Sequence, residues 1–174
     1  EISEDGKTLV QPLTSIKGLG IKAIEQIIEH RPFNTIEEFL FHDEIVYSKL
    51  NKKCLDALAR AGAMRELQDD RFTGDKHFWT ATCVDRPRKL KNLAENIERY
   101  RPEGNFSVDE RIDFLANLTG IFPISMVIDD SIQAKLDQYG VPPISEYDRE
   151  LQMCWCIVRE VTKKKTKNGK LFYV

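Results

Sequence analysis

Apolar residues recur along the first 70 positions at steps of three and four. Between Leu13 and Ile28, the residues Ile16, Leu19, Ala23, Ile24, Ile27 and Ile28 fall at helical spacing, interrupted by Gly18 and Gly20. His30-Arg31 ahead of Pro32 predicts the end of that helix, because the residue before proline is pushed out of the α region. Asn34 or Thr35 offers the next cap, with Glu37 and Glu38 facing the positive dipole end and Ile36, Phe39 and Leu40 turned inward. A further helix is predicted from about Asn51, with Leu55, Leu58 and Ala59 on one face and Gly62 as its stop. Ahead of them all, Asp5-Gly6 predicts a tight β-hairpin turn leading into Thr8-Leu9-Val10.

Beyond residue 70 the pattern is sparser. Leu90, Leu93, Ile97 and Tyr100 make one helical stripe. Ser107 with Glu110 is a capping box ahead of Ile112, Leu115 and Leu118, and Gly120 closes that helix. A short helix is expected from about Ser131 to Tyr139, ending at Gly140 before Pro142-Pro143. From Leu151 the period drops to two, as Leu151, Met153, Trp155 and Ile157 alternate with Gln152, Cys154, Cys156 and Val158. Asn168-Gly169 then turns the chain into Leu171-Phe172-Tyr173-Val174, which predicts a C-terminal β-hairpin. The expected fold class is therefore mainly α with a small β-hairpin near each end.

Composition narrows the class. The chain is 174 residues long, 41% hydrophobic and 31% charged, too apolar for intrinsic disorder. No apolar run reaches the ~20 residues of a membrane helix. The opening Glu1-Ile2-Ser3-Glu4-Asp5 is acidic where a targeting segment is basic and then apolar, and the first residue is not Met, so a piece of a longer chain is expected. Net charge is −2 but graded: residues 1–70 hold 9 basic and 13 acidic side chains, residues 71–150 hold 11 and 14, and residues 151–174 hold 6 and 1. A whole-molecule attraction to nucleic acid is thereby excluded, and any such contact must be local. Cys54, Cys83, Cys154 and Cys156 lack the paired spacing of a zinc site. They read as small hydrophobes in a reducing compartment, with Cys154 and Cys156 on one face of a strand.

The sharpest chemical signal is Lys17-Gly18-Leu19-Gly20 followed by a helix. Two glycines allow a tight turn between helices and let an anion approach without a Cβ in its way. The next helix opens on unpaired amides that favour a phosphate, and Lys17 and Lys22 flank them. This is the pattern of a helix-hairpin-helix, in which Lys17, Gly18, Leu19, Gly20 and Lys22 are the candidate DNA-binding residues. A nucleotide loop fits less well, since neither a third glycine nor Gly-Lys-Ser/Thr follows. A plain helix turn with glycine caps is the non-functional alternative. His30, His42 and His77 stand isolated in sequence and are read as non-catalytic, with no metal expected.

Three blocks in order resemble the bacterial replicative DNA polymerase III alpha subunit family: Leu13 through Ile28, Arg31-Pro-Phe-Asn-Thr-Ile-Glu-Glu-Phe39, and Leu50 through Ala63. The close likeness covers about residues 8–67. A looser one joins Ile112–Leu118 and Gly120-Ile-Phe-Pro123 to the segment before that family's OB domain, and Thr162–Phe172 to the first hairpin of that domain. Met64-Arg65 departs from the family's pattern and residues 72–110 match none of it, which points to a divergent branch, viral or plasmid-borne. The resemblance implies a tandem helix-hairpin-helix domain at 1–70, a helical linker at 71–148 and the first strands of an OB-type barrel at 149–174. It implies sequence-independent binding of duplex DNA by a cytoplasmic DNA-directed DNA polymerase, a nucleotidyltransferase. That enzyme's Mg2+ and catalytic aspartates lie upstream, so no catalytic residue and no cofactor are expected here. Asp69-Asp70, Asp109-Glu110 and Asp129-Asp130 read as surface or caps.

Through the OB likeness, Trp155, Lys164, Lys165, Lys167 and Lys170 become candidate single-strand contacts, stacking bases beside a basic groove. Gln68-Asp69-Asp70-Arg71-Phe72 loosely resembles the peptide by which such polymerases hold a sliding clamp, although Arg71 stands where an apolar residue enters the clamp. The alternatives are a protein-interaction scaffold and the DNA-binding part of a repair enzyme. No membrane contact is expected.

Overall fold

Ile36, Leu50 and Leu55 have no exposed surface in the computed structural model, which describes residues 11–158 and 160–174. They sit in one apolar cluster that runs from Ile16 to Ile97. The helices α1 (Ile21–His30), α2 (Ile36–Leu40), α3 (Lys52–Arg60), α4 (Asp75–Trp79), α5 (Leu90–Tyr100) and α6 (Val108–Thr119) pack in the unit Glu1–Met126. A second unit, Val127–Val174, holds α7 (Asp130–Gln138) and the antiparallel pair β1 (Lys163–Lys165) and β2 (Leu171–Tyr173). The fold is mainly helical with a C-terminal hairpin, as the periodicity predicts. No helix among the described residues is long and apolar enough to cross a membrane.

Local chemistry sets most helix ends. Thr35 Oγ1 accepts the Glu38 amide, while Glu38 Oε2 accepts the Asn34 amide. Asn51 Oδ1 accepts the amides of Lys53 and Cys54, and Ser107 and Glu110 complete the expected reciprocal box at the start of α6. Each such cap satisfies amides that helix geometry leaves without partners. The buried sides are Ala23 and Ile24 on α1, Cys54, Leu55 and Leu58 on α3, and Leu93 and Ile97 on α5. Full burial of one such Leu or Ile is worth about 1.5–3 kcal/mol.

Four expectations need correction. The chain does not divide near residue 70, because Phe72, Phe78, Ala81, Leu93 and Ile97 finish the core that Ile16 and Leu55 begin; the division falls after Met126. Ile28 is 51% exposed, so the α1 stripe is narrower than its apolar pattern. The segment before the glycines is a single 3₁₀ turn, Leu13–Ser15, and not a helix. Residues 151–158 form no ladder; their backbone pairing among the described residues is one bridge between Pro143 and Trp155, and Cys156 is exposed. Alternation marks a strand only where a neighbour supplies the second edge. The predicted turn at Asp5-Gly6 lies outside the described residues.

Sequence periodicity gives no sign of α4, which continues as one wide π turn over Thr80–Val84. His77 is fully buried beneath it, accepting the Thr73 amide at Nδ1 (3.0 Å) and donating from Nε2 to the Ile97 carbonyl (2.7 Å). Asn96 Nδ2 donates to the carbonyls of Ala81 and Asp85 and so ties α5 to the end of the π turn. Cys83 is wholly buried and its thiol is pushed up to about 12 by that burial, which leaves it an inert core group.

Candidate nucleic-acid interface

After the 3₁₀ turn the chain reverses at Gly18, whose φ of +92° would cost an L side chain about 1–2 kcal/mol. Gly20 is the N-cap of α1, with open space where a Cβ would stand. Ile16 anchors the turn in the core and Leu19 packs against it half-buried. The Lys17 amide donates to the Leu118 carbonyl at 2.7 Å, so the end of α6 braces the hairpin. In the first turn of α1, the Ala23 amide returns to the Gly20 carbonyl, whereas the amides of Ile21 and Lys22 meet no acceptor among the described residues. They point outward from the positive end of a ten-residue helix.

The start of α3 lies beside this turn. A Cβ built on Gly18 would meet Lys53 Cε at 3.6 Å, and Cys54 Sγ lies 3.8 Å from the Gly18 carbonyl oxygen. Lys52 and Lys53 open α3, and neither α3 nor α1 has an acidic residue in its first turn. Folding alone would favour the reverse, as in α2 with Glu37 and Glu38 or α6 with Asp109 and Glu110. Lys52 also lines an open cavity of about 760 Å³ with Tyr47, Arg86 and Arg88. Arg86 stacks over the Tyr47 ring at 4.5 Å, and burial makes its charge harder to hold.

Lys17, Lys22, Lys52, Lys53, Arg86 and Arg88 have no carboxylate partner among the described residues. In the same unit Arg60, Arg71, Lys76, Arg99 and Arg111 are each paired with one. Four of these unpaired cations, Lys17, Lys22, Lys52 and Lys53, belong to two helix starts in a segment whose overall charge is acidic, although Arg31, Arg65 and Lys89 also have no carboxylate partner among the described residues. Lys17 and Lys22 were legible from the glycine turn. Lys52, Lys53, Arg86 and Arg88 were missed, and the available signal was a pair of lysines directly behind the Asn51 cap.

A family of the helix-hairpin-helix motif matches residues 1–73. The DNA polymerase III subunit alpha of Pseudomonas aeruginosa is 41% identical over 171 aligned positions, covering 87% of this chain. The chain is related to a segment of the DNA polymerase III alpha subunit. It spans 14% of that protein's length. No solved structure matches it.

The remaining candidates of this polymerase-related segment are placed differently. In the second unit, β1 and β2 pair Lys163 with Tyr173, Lys164 with Phe172 and Lys165 with Leu171. Successive side chains alternate faces, so Lys164 shares a face with Phe172 while Lys165 lies on the other. Lys167 and Lys170 flank the turn at Gly169, and all of these lysines are exposed. Trp155 is half-buried beside Pro142 and Pro143, with its Nε1 buried and unpartnered.

The clamp-like peptide is overturned. Phe72 is 6% exposed and packs edge-on against Phe78 at 4.9 Å and His77 at 5.4 Å, so it is not free to enter a clamp. Arg71 holds Asp69 and Glu37, and its hydrogen bonds keep both carboxyls below their ordinary range. Asp129 caps α7, Glu110 belongs to the capping box, and Asp69 is the partner of Arg71, so these acids serve the fold. The histidines are not all isolated: His77 is a core group, but His30 and His42 meet beside Glu44.

Proposed function

We propose that this region holds duplex DNA by its phosphate backbone, without reading bases, as the DNA-binding part of a replicative polymerase of the DNA polymerase III alpha type. The observation that carries this is the junction of the α1 and α3 N-termini at Gly18, where two α1 amides meet no acceptor and the Lys53 side chain, with no carboxylate partner among the described residues, lies alongside. Amides and lysines recognise phosphate oxygens and carry no sequence information, which suits an enzyme that moves over every sequence. The parent enzyme is a cytoplasmic DNA-directed DNA polymerase, whose Mg2+ and catalytic carboxylates belong to another part of it. Within the first unit the glycine turn and the starts of α1 and α3 hold the duplex, α6 braces that turn, and the hairpin at 163–173 begins a barrel. In the complete barrel, Trp155, Lys164, Lys165, Lys167 and Lys170 contact single strands.

The test is a titration of the whole chain with two duplexes of unrelated sequence between roughly 50 and 200 mM salt. Equal affinities are expected, with log K falling against log salt at a slope of about −2 to −4, the value for two to four phosphate contacts. A preference of more than about tenfold for one duplex would contradict backbone binding. Absence of binding at the lowest salt would leave a protein-interaction scaffold as the better reading.

A further inference from the structure

α1 ends at His30, and α2 stops at Leu40, two residues before His42. The two imidazoles meet with ring centroids 4.9 Å apart, although twelve positions separate them in sequence. Glu44 completes the group, its Oε2 lying 3.5 Å from His30 Nδ1. One donor atom from each of the three falls within 4.8 Å of the others. We propose that His30, His42 and Glu44 bind one divalent cation of the zinc class, which joins the C-terminal end of α1 to the loop after α2.

Bonds of about 2.0–2.2 Å to a tetrahedral ion place its ligand atoms about 3.4 Å apart. The His30–Glu44 distance already matches this. All three donor atoms already lie within 4.8 Å of one another, and the Glu44 side chain, 75% exposed, is free to swing onto an ion held between the rings. The imidazoles are the fixed part: His30 is only 12% exposed, and the Phe33 ring stands edge-on to His42 at 6.0 Å. His42 Nδ1 holds a long contact from the Glu44 amide (3.3 Å), weak enough for a cation to displace. Two imidazole nitrogens and one carboxylate oxygen suit zinc-like ions over magnesium or calcium, which take oxygen ligands. The negative end of the α1 dipole favours the same charge. A fourth coordination position is left for water. The site sits at the opposite end of α1 from the phosphate-facing amides, so it stands independently of the DNA reading.

Cobalt(II) replaces zinc as a visible probe. The whole chain is used with Cys154→Ser and Cys156→Ser, so that these two accessible thiols take no metal. One Co2+ is expected to bind with the intense absorption of a tetrahedral site, and Zn2+ should displace it. His30→Gln and His42→Gln should each weaken binding by at least about a hundredfold, and Glu44→Gln by about tenfold. Glu44 is a surface side chain, so its variant reports even if the histidine variants unfold. Absence of saturable binding would overturn the proposal, as would an affinity that Glu44→Gln and His42→Gln both leave unchanged.

Discussion

Phe72→Ala is expected to lower the unfolding free energy by about 3–5 kcal/mol, the cost of emptying a buried aromatic site. The ring is in edge contact with Phe78 and His77, and His77 in turn bonds the Ile97 carbonyl. Removing it opens a void where α4 and α5 meet the α3 core. Against a domain stability of about 5–15 kcal/mol, this is a large share. Urea unfolding followed by tryptophan fluorescence measures it. A midpoint unchanged from the parent chain would mean that Phe72 is a surface residue, as the clamp-peptide reading requires.

Lys52→Glu combined with Lys53→Glu is expected to move stability and DNA affinity in opposite directions. At the first two positions of α3, two carboxylates suit the helix dipole where two ammonium groups oppose it. Each exchange should stabilise by about 0.3–1 kcal/mol. DNA affinity should fall at least about tenfold, and the salt slope should flatten by roughly two units as two phosphate contacts are lost. Thermal unfolding and fluorescence anisotropy on one preparation read both effects. A variant that is more stable and binds duplex DNA as before would remove α3 from the interface.

Elements governed by neighbours in sequence were legible. The Ser107–Glu110 box, the Thr35 cap and the stop at Gly62 each depend on residues within four positions, so composition reveals them. The helix from Asp75 into the π turn was hidden because its partners are remote: His77 reaches Ile97, and Asn96 reaches back to Ala81. Residues 77–83 are also buried on nearly every side, polar Thr80 and Thr82 among them, so no one-sided 3.6-residue stripe appears. Around residue 155 the opposite failure occurred, since alternation was present without a pairing partner. At the interface, Gly18 was readable because only a turn explains two glycines so placed. Lys52 and Lys53 resemble any solvated helix start until Gly18 is seen beside them. His30 and His42 come together only through the path of α2.

The central claim is that unpaired amides at the start of α1 grip a DNA phosphate. Amide proton and nitrogen shifts of the whole chain, recorded as duplex DNA is added at low salt, test it residue by residue. The largest shifts are predicted at Gly20, Ile21 and Lys22, with a second group at Lys52 and Lys53. Binding that leaves the Gly20, Ile21 and Lys22 amides unmoved, while shifts gather elsewhere on the chain, would contradict the account.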